Sequence, residues 1–424
     1  AEPGVLFWDT IINEAIPDCY SDLGFKTVST NPCGEIPLCP YDSCRLLALN
    51  LYSYVDEPFT ENAIFNSDKF TDHASKALRI MDDIIDLEAE KIDAIIAKID
   101  NDPEAFDIKR VERNMWENIK KKTLEGRRTG IGITAEGDML AALSSRYGSD
   151  SAINFSTEVH KLLAIEVYRS STELAKERGA FPIYDFEREK NNPFIQRIKE
   201  NAPRVYENMA KHGRRNIAML TIAPTGSVSI CTRTSSGIEP VFMVSYKRRR
   251  KVNPNDRKVS VSFVDDIGDA WEEYNVFHPK FETWLKQKGM DPEEAKKLDD
   301  KELAKLIKQS PYNKATSKDI DWVSKVKMQG AVQKWVDHSI SVTVNVPEDV
   351  SEELVSEVYQ AAWESGCKGM TIYRENSRSG VLVSNEKKKE ARPEGQVIEN
   401  NAPPRPKELV ADVVRFMNNK EEWV

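Results

Sequence analysis

Asn31, Cys33 and Glu35 stand at alternate positions of Asn31-Pro32-Cys33-Gly34-Glu35, and Cys44 follows eleven positions after Cys33. The segment holds too much Pro and Gly to be a helix. In an extended loop alternate side chains point the same way, so an amide, a thiol and a carboxylate would converge on one small volume. Those groups can hold a hydroxyl, give up a hydrogen atom and take a proton. A lone Asn-Pro-Cys would read as a tight turn around a buried structural cysteine. Glu35 and Cys44 make a reactive site the better reading.

A second candidate lies at Pro224-Thr225-Gly226-Ser227-Val228. It follows the apolar run 216–222, which reads as a buried strand, and opens a helix. Free N–H groups and the positive end of a helix dipole favour a phosphate at such a junction. Gly226 lets the backbone approach, and the Thr225 and Ser227 hydroxyls add donors. Alone, Pro-Thr-Gly-Ser is a common cap and turn.

The elements that must position these residues alternate between helix and strand, which argues α/β. Residues 1–55 read as a strand, a short helix and the cysteine loop, continuing into Leu47–Leu51. From His73 to about Asp100, Ala77, Met81, Ile84, Leu87, Ile92, Ile95 and Ile99 recur at helical steps, with the isoleucines as core packing. Further helices are expected over 151–178, 321–338 and 352–365. Strands are expected over 339–346, where Ile340, Val342, Val344 and Val346 alternate, and around 370–373. The polar, lysine-rich stretch 252–318 reads as a peripheral insertion.

Composition bounds the function. The chain has 424 residues, 40% hydrophobic and 30% charged, as in ordinary globular proteins. A net charge of −9 argues against bulk nucleic-acid binding, since there is no basic excess to neutralise a phosphate backbone. The run Lys247-Arg248-Arg249-Arg250-Lys251 is the local exception and reads as a solvated basic strip. Six cysteines are too few for a disulfide scaffold in so long a chain, so a reducing cytoplasm is expected. There is no Cys-x-x-Cys pair, the five histidines are scattered, and no metal-ligand set is expected. No apolar run is long enough for a membrane span. Cys19 and Cys39 read as structural or incidental, and Cys231 and Cys367 as packed small residues.

Asn31-Pro32-Cys33-Gly34-Glu35, with Cys44 in a Tyr-Asp-Ser-Cys context, resembles the finger loop of ribonucleotide reductases, particularly the adenosylcobalamin-dependent class II enzymes. Further matches follow in the family's order: Thr129–Ile133, Arg214-Arg215-Asn216, Ala223–Ser229, Ser236–Pro240 and Lys368–Arg374. Five such motifs in order are far more specific than any one, and the resemblance runs to about Ser384.

The resemblance implies the ten-stranded α/β reductase barrel, two five-stranded halves with the finger loop through the centre. It assigns residues 1–384 to the C-terminal portion of that barrel, 385–406 to a charged, Pro-rich linker, and 407–424 to the start of a truncated C-terminal segment. The first barrel strands and one redox cysteine would lie in a missing N-terminal region or chain.

It also implies the activity of a ribonucleoside-diphosphate reductase, although no residue here chooses between di- and triphosphate substrates. In the family, a thiyl radical at the position of Cys33 abstracts the 3′ hydrogen, Glu35 takes the 3′-OH proton, and Asn31 holds the hydroxyls. Cys44 matches one half of the dithiol reductant, re-reduced by a thiol protein such as thioredoxin, and residues 224–228 match the substrate phosphate site. Class I large subunits carry two adjacent relay tyrosines where this chain reads Tyr373-Arg374. Adenosylcobalamin is therefore the expected radical source, and a homodimer the expected complete assembly. Two alternatives stay open: a class I-like large subunit needing a metal-containing radical subunit, and a non-catalytic nucleotide-binding fragment.

Overall fold

The computed structural model describes residues 4–252, 261–264, 269–375, 416–418 and 421–423. The chain falls into two units, residues 1–385 and 386–424. In the second, Phe416–Asn418 pairs antiparallel with Glu421–Trp423. The expected linker 385–406 lies outside the described residues.

The first unit is organised around parallel chain segments. Leu46–Asn50 pairs parallel with Gly130–Thr134. Ile131 bridges Leu220, and Ile222 bridges Ile340, both parallel. Thr343–Val346 pairs parallel with Gly369–Arg374, whose other edge carries Gly4–Leu6 antiparallel. Five segments thus run the same way, with one opposed neighbour at the far edge. Closure into ten strands is not seen among the described residues. Residues 218–222 are extended but contribute isolated bridges, not a regular strand.

Helices cover the connections, which is why the strands are apolar on both faces. All of Gly130–Thr134 is buried. The Ser67–Asn101 helix starts where the Asn66 side chain accepts from Lys69 N at 3.0 Å. Its inner face is Phe70, Ala74, Ala77, Leu78, Met81, Ile85, Ala89, Ile92 and Ile99. Ile84 and Leu87, expected in the core, are instead exposed, because Ile84 falls at the flank of the buried face and Leu87 on the far side of the helix. A second helix, Phe106–Gly126, packs antiparallel against it; its few buried positions gave no periodic apolar stripe to read. Asp150–Arg178 is capped by Ser149 and stops at Gly179, whose φ of +85° suits glycine.

Two expectations need correction. The 252–318 stretch is not wholly peripheral: Phe277, Phe281, Trp284, Leu285, Leu303 and Tyr312 belong to the principal core. Most of its described lysines are exposed, and lysine dominated its composition. The basic run forms Ser245–Lys251, paired antiparallel with the acidic strand Ala270–Phe277. Arg249 meets Glu273 at 2.9 Å, Arg250 meets Glu272 at 2.6 Å, and Lys251 meets Asp269 at 2.5 Å. Exposed pairs of this kind are worth roughly 0–1 kcal/mol each, so their effect is to neutralise the strip and set strand register.

Candidate active site

The cysteine loop is a tight hairpin. Ser29–Thr30 pairs with Pro37–Leu38, and Asn31 N donates to Ile36 O at 3.1 Å. Gly34, at φ +79°, turns the chain and donates to Asn31 O at 3.0 Å. The Asn31 side-chain oxygen accepts from Ile36 N at 3.0 Å, which fixes the turn from inside. The amide oxygen is therefore committed to the loop, and only the amide nitrogen remains for another partner.

Because the loop turns at Gly34 and is not extended, the three expected groups do not share one exposure. Cys33 is exposed at the tip, whereas Glu35 is 2% exposed. Partial desolvation, then the Glu35 charge, raises the Cys33 thiol above its ordinary pKa. The backbone of Glu35 is seated firmly: its carbonyl accepts from Ser339 N at 2.9 Å and from the Thr221 hydroxyl at 2.8 Å. Its carboxylate Oε2 is buried and has no hydrogen-bond partner among the described residues. Leaving such an acceptor unpaired costs about 1–3 kcal/mol.

Glu35 lines a cavity of about 280 Å³ together with Leu46–Ala48, Gly130, Gly132, Ile133, Thr221 and Ala223–Val228. That volume is near the lower end of small-molecule sites, which span roughly 300–1,000 Å³. The floor requires glycine. A Cβ on Gly132 would lie 2.0 Å from the Thr221 carbonyl oxygen, and one on Gly130 would lie 2.6 Å from Cys44 Sγ. Cys44 is half-buried and packs against the strand that floors the cavity. Burial, only partly opposed by Arg128, pushes its thiol up to about 12.

On the opposite wall, Thr225 holds a left-handed conformation (φ 52°, ψ 26°) and starts the short helix Gly226–Thr232. Its hydroxyl is not free for a ligand. It lies 2.9 Å from the Thr134 hydroxyl and accepts from Gly237 N at 2.6 Å. Gly237 can sit there because it has no Cβ, which would be 2.9 Å from Ala223 O. The donors left facing the cavity are the first-turn N–H groups of Gly226, Ser227 and Val228, which lack intrahelical partners, and the exposed Ser227 hydroxyl.

The structure thus brings Glu35 and residues 224–228 onto one cavity, with Cys44 behind its floor and Cys33 at the exposed tip. Among the other cysteines, Cys39 and Cys367 are buried, while Cys231, expected to be packed, is exposed on the short helix. Sequence reasoning gave no role to Thr134, which with Gly237 of the Ser236–Pro240 motif holds Thr225, or to Thr221 and Ser339, which hold Glu35. Thr134, Thr221 and Ser339 were signalled only by their place in or beside apolar runs.

Comparison with known proteins places this parallel α/β array, with its Cys-Gly-Glu hairpin and Pro-Thr-Gly-Ser turn, in a family. A family model described as "Ribonucleotide reductase, barrel domain" matches residues 1–373, and the chain belongs to that family. It is 30% identical over 405 residues to a vitamin B12-dependent ribonucleoside-diphosphate reductase of Thermoplasma acidophilum, covering 94% of this chain and 44% of that protein. A protein of the same description from Mycobacterium tuberculosis is 28% identical over 388 residues, covering 90% of this chain and 46% of that one. The chain therefore spans less than half the length of these relatives. The class Id ribonucleotide reductase alpha subunit of Actinobacillus ureae shares the fold, with a TM-score of 0.55 at 19% identity, over 88% of this chain and 58% of that one. Among the described residues no helix is long and apolar enough to cross a membrane.

Proposed function

We propose that this chain supplies the catalytic portion of an adenosylcobalamin-dependent ribonucleotide reductase that converts ribonucleoside di- or triphosphates to 2′-deoxyribonucleotides. The observation that carries the reading is Glu35 itself, which has a buried, unpartnered Oε2 and lines a cavity whose other wall is the first turn of the 226–232 helix. A ribose hydroxyl would satisfy the carboxylate while the phosphates meet residues 224–228.

A Cys33 thiyl takes the 3′ hydrogen and Glu35 accepts the 3′-OH proton, so the 2′-OH can leave as water. Asn31 orients the hydroxyls through its amide nitrogen. Cys44 and a partner thiol from outside this chain give up two electrons and two protons and become a disulfide, and Cys33 returns its hydrogen to the 3′ carbon. Overall, one ribonucleotide and one dithiol give one deoxyribonucleotide, one disulfide and one water. A thioredoxin-like dithiol then restores the pair.

When bound, adenosylcobalamin supplies the radical that converts the Cys33 thiol to a thiyl. The residues present fit it. Cys33 is exposed beside Pro32, and the exposed Leu6, whose Cδ2 would lie 3.5 Å from a Cβ on Gly34, adds apolar surface against which the cofactor would be held. The relatives named as vitamin B12-dependent support this choice. Arg374 in place of a second tyrosine supports it too, since a guanidinium cannot relay a radical. The ten-stranded barrel, completed by strands outside this chain, residues 1–384 as its catalytic portion, and a homodimer of complete chains belong to the same proposal.

The test is reduction of ribonucleotides by the complete enzyme with adenosylcobalamin and a dithiol, without oxygen. Activity is expected with these alone, and Tyr373→Phe should lower it only modestly. Activity that requires a metal-containing second subunit and vanishes in Tyr373→Phe would overturn the cofactor assignment in favour of the class I-like alternative.

A further inference from the structure

Arg128 is 1% exposed, and its guanidinium reaches three separate segments. Nη1 donates to Pro37 O at 2.9 Å and to His338 Nδ1 at 3.3 Å, and Nη2 lies 2.7 Å from Asp42 Oδ2. The His338 tautomer follows, because Nε2 donates to Thr129 O at 3.0 Å and leaves Nδ1 as the acceptor. Burial pushes His338 down to about 4, so this ring is neutral. Asp42 also takes a hydrogen bond from Cys39 Sγ at 3.5 Å and from Ser43 N at 2.9 Å.

Pro37 lies just beyond Glu35, and Asp42 just before Cys44. One cation therefore ties the limb that carries the carboxylate to the limb that carries the second cysteine. Stability alone does not explain it, since replacing a buried ion pair by well-packed apolar residues is often neutral or stabilising by about 1–4 kcal/mol.

We propose that Arg128 is a positioning residue for Cys44. Paired with Asp42, it seats the Cys44 limb under the Glu35 limb, and its charge favours the Cys44 thiolate when that sulfur attacks or leaves in disulfide exchange. The proposal rests on the reading of Cys44 as half of the reductant dithiol. The charged groups facing Cys44 are Arg128 and Arg45, which favour the thiolate, and Asp42 and Asp337, which oppose it. Arg45 is itself bound to Glu88 and to the Thr123 hydroxyl, and Asp337 to Tyr168 and the N–H groups of Met219 and Leu220. The neighbouring Cys39 thiol is pushed up to about 12 and stays neutral, as does His338. Removing Arg128 or Asp42 should thus move Cys44 in opposite directions.

The measurement is the rate of Cys44 alkylation by iodoacetamide between pH 7 and 10, read by mass spectrometry of the Cys44 peptide in the full-length enzyme. Arg128→Gln is expected to slow it about tenfold at pH 8, one unit of thiol pKa, and Asp42→Asn to speed it by a similar factor. Arg128→Lys should fall between Arg128→Gln and the parent enzyme. If Arg128→Gln does not fold, the opposite signs of Asp42→Asn and Arg128→Lys carry the test. Rates that stay unchanged, or that move in the same direction in both kinds of variant, would overturn the proposal. Failure of the underlying reading shows separately: Cys44→Ser would sustain normal multiple turnover while the alkylation shifts persist.

Discussion

At the tip of the hairpin the chain is held by its own backbone and by the Asn31 amide, whereas the return limb is held by a buried ion pair and a neutral histidine. Each part carries one of the two candidate reactive cysteines. Cys33 is exposed, with its thiol raised by partial desolvation and by Glu35; Cys44 is packed on a glycine floor, with its thiol pushed up to about 12. Residues of one type, on one loop, are thus given different access and different acidity. The hydrogen-atom donor proposed at Cys33 must meet its radical source and its substrate, and exposure would serve it. The reductant thiol proposed at Cys44 should stay protonated until exchange begins, and burial would serve that.

The largest break in this comparison is at the tip. Cys33→Ser should abolish deoxyribonucleotide formation with the protein reductant and equally with a small dithiol that bypasses it, because a hydroxyl cannot replace the hydrogen-atom donor. Appreciable product from this variant in the complete enzyme would remove the thiyl assignment.

On the return limb the loss should be of a different kind. Cys44→Ser should leave part of the radical chemistry, seen as limited product in a single-turnover assay, and block sustained turnover. Wild-type steady-state rates would show that Cys44 is not the reductant.

The smallest effect concerns the seat of the limb. His338 stays neutral in the folded chain down to about 4, whereas an unfolded one takes its proton near 6.5. Above 6.5 neither state is charged and the contribution is whole. As pH falls from 6.5 to 4 the unfolded state binds the proton first, so up to roughly 3 kcal/mol of stability is lost. Urea midpoints at pH 7, 5.5 and 4.5 should decline more steeply for the parent chain than for His338→Gln, and parallel slopes would sink the assignment.

Much of this was legible in the chain itself. Residue types and spacing marked Asn31, Cys33, Glu35, Cys44 and the 224–228 turn as candidates, of which Glu35 and the turn line one cavity, and apolar periodicity found most of the long helices. Exposure was not legible. It depends on the positive φ of Gly34 and on Ser339 and Thr221, which meet Glu35 from far along the sequence. Arg128 and Asp42 were invisible for another reason: a buried charge looks like a surface charge until its partner is known. The aromatic core of 277–312 was hidden by the lysines around it, which averaged its composition toward that of a surface loop.

The loop is fastened through the main chain of Glu35, whose carbonyl Ser339 and Thr221 grip whatever side chain that residue bears. Location and reactivity are therefore set by different atoms of one residue. A glutamine or aspartate put there would inherit the same mounting and change only the tool it carries. Position 35 is accordingly a socket where the proton acceptor can be exchanged for other chemistry without redesigning the loop around it.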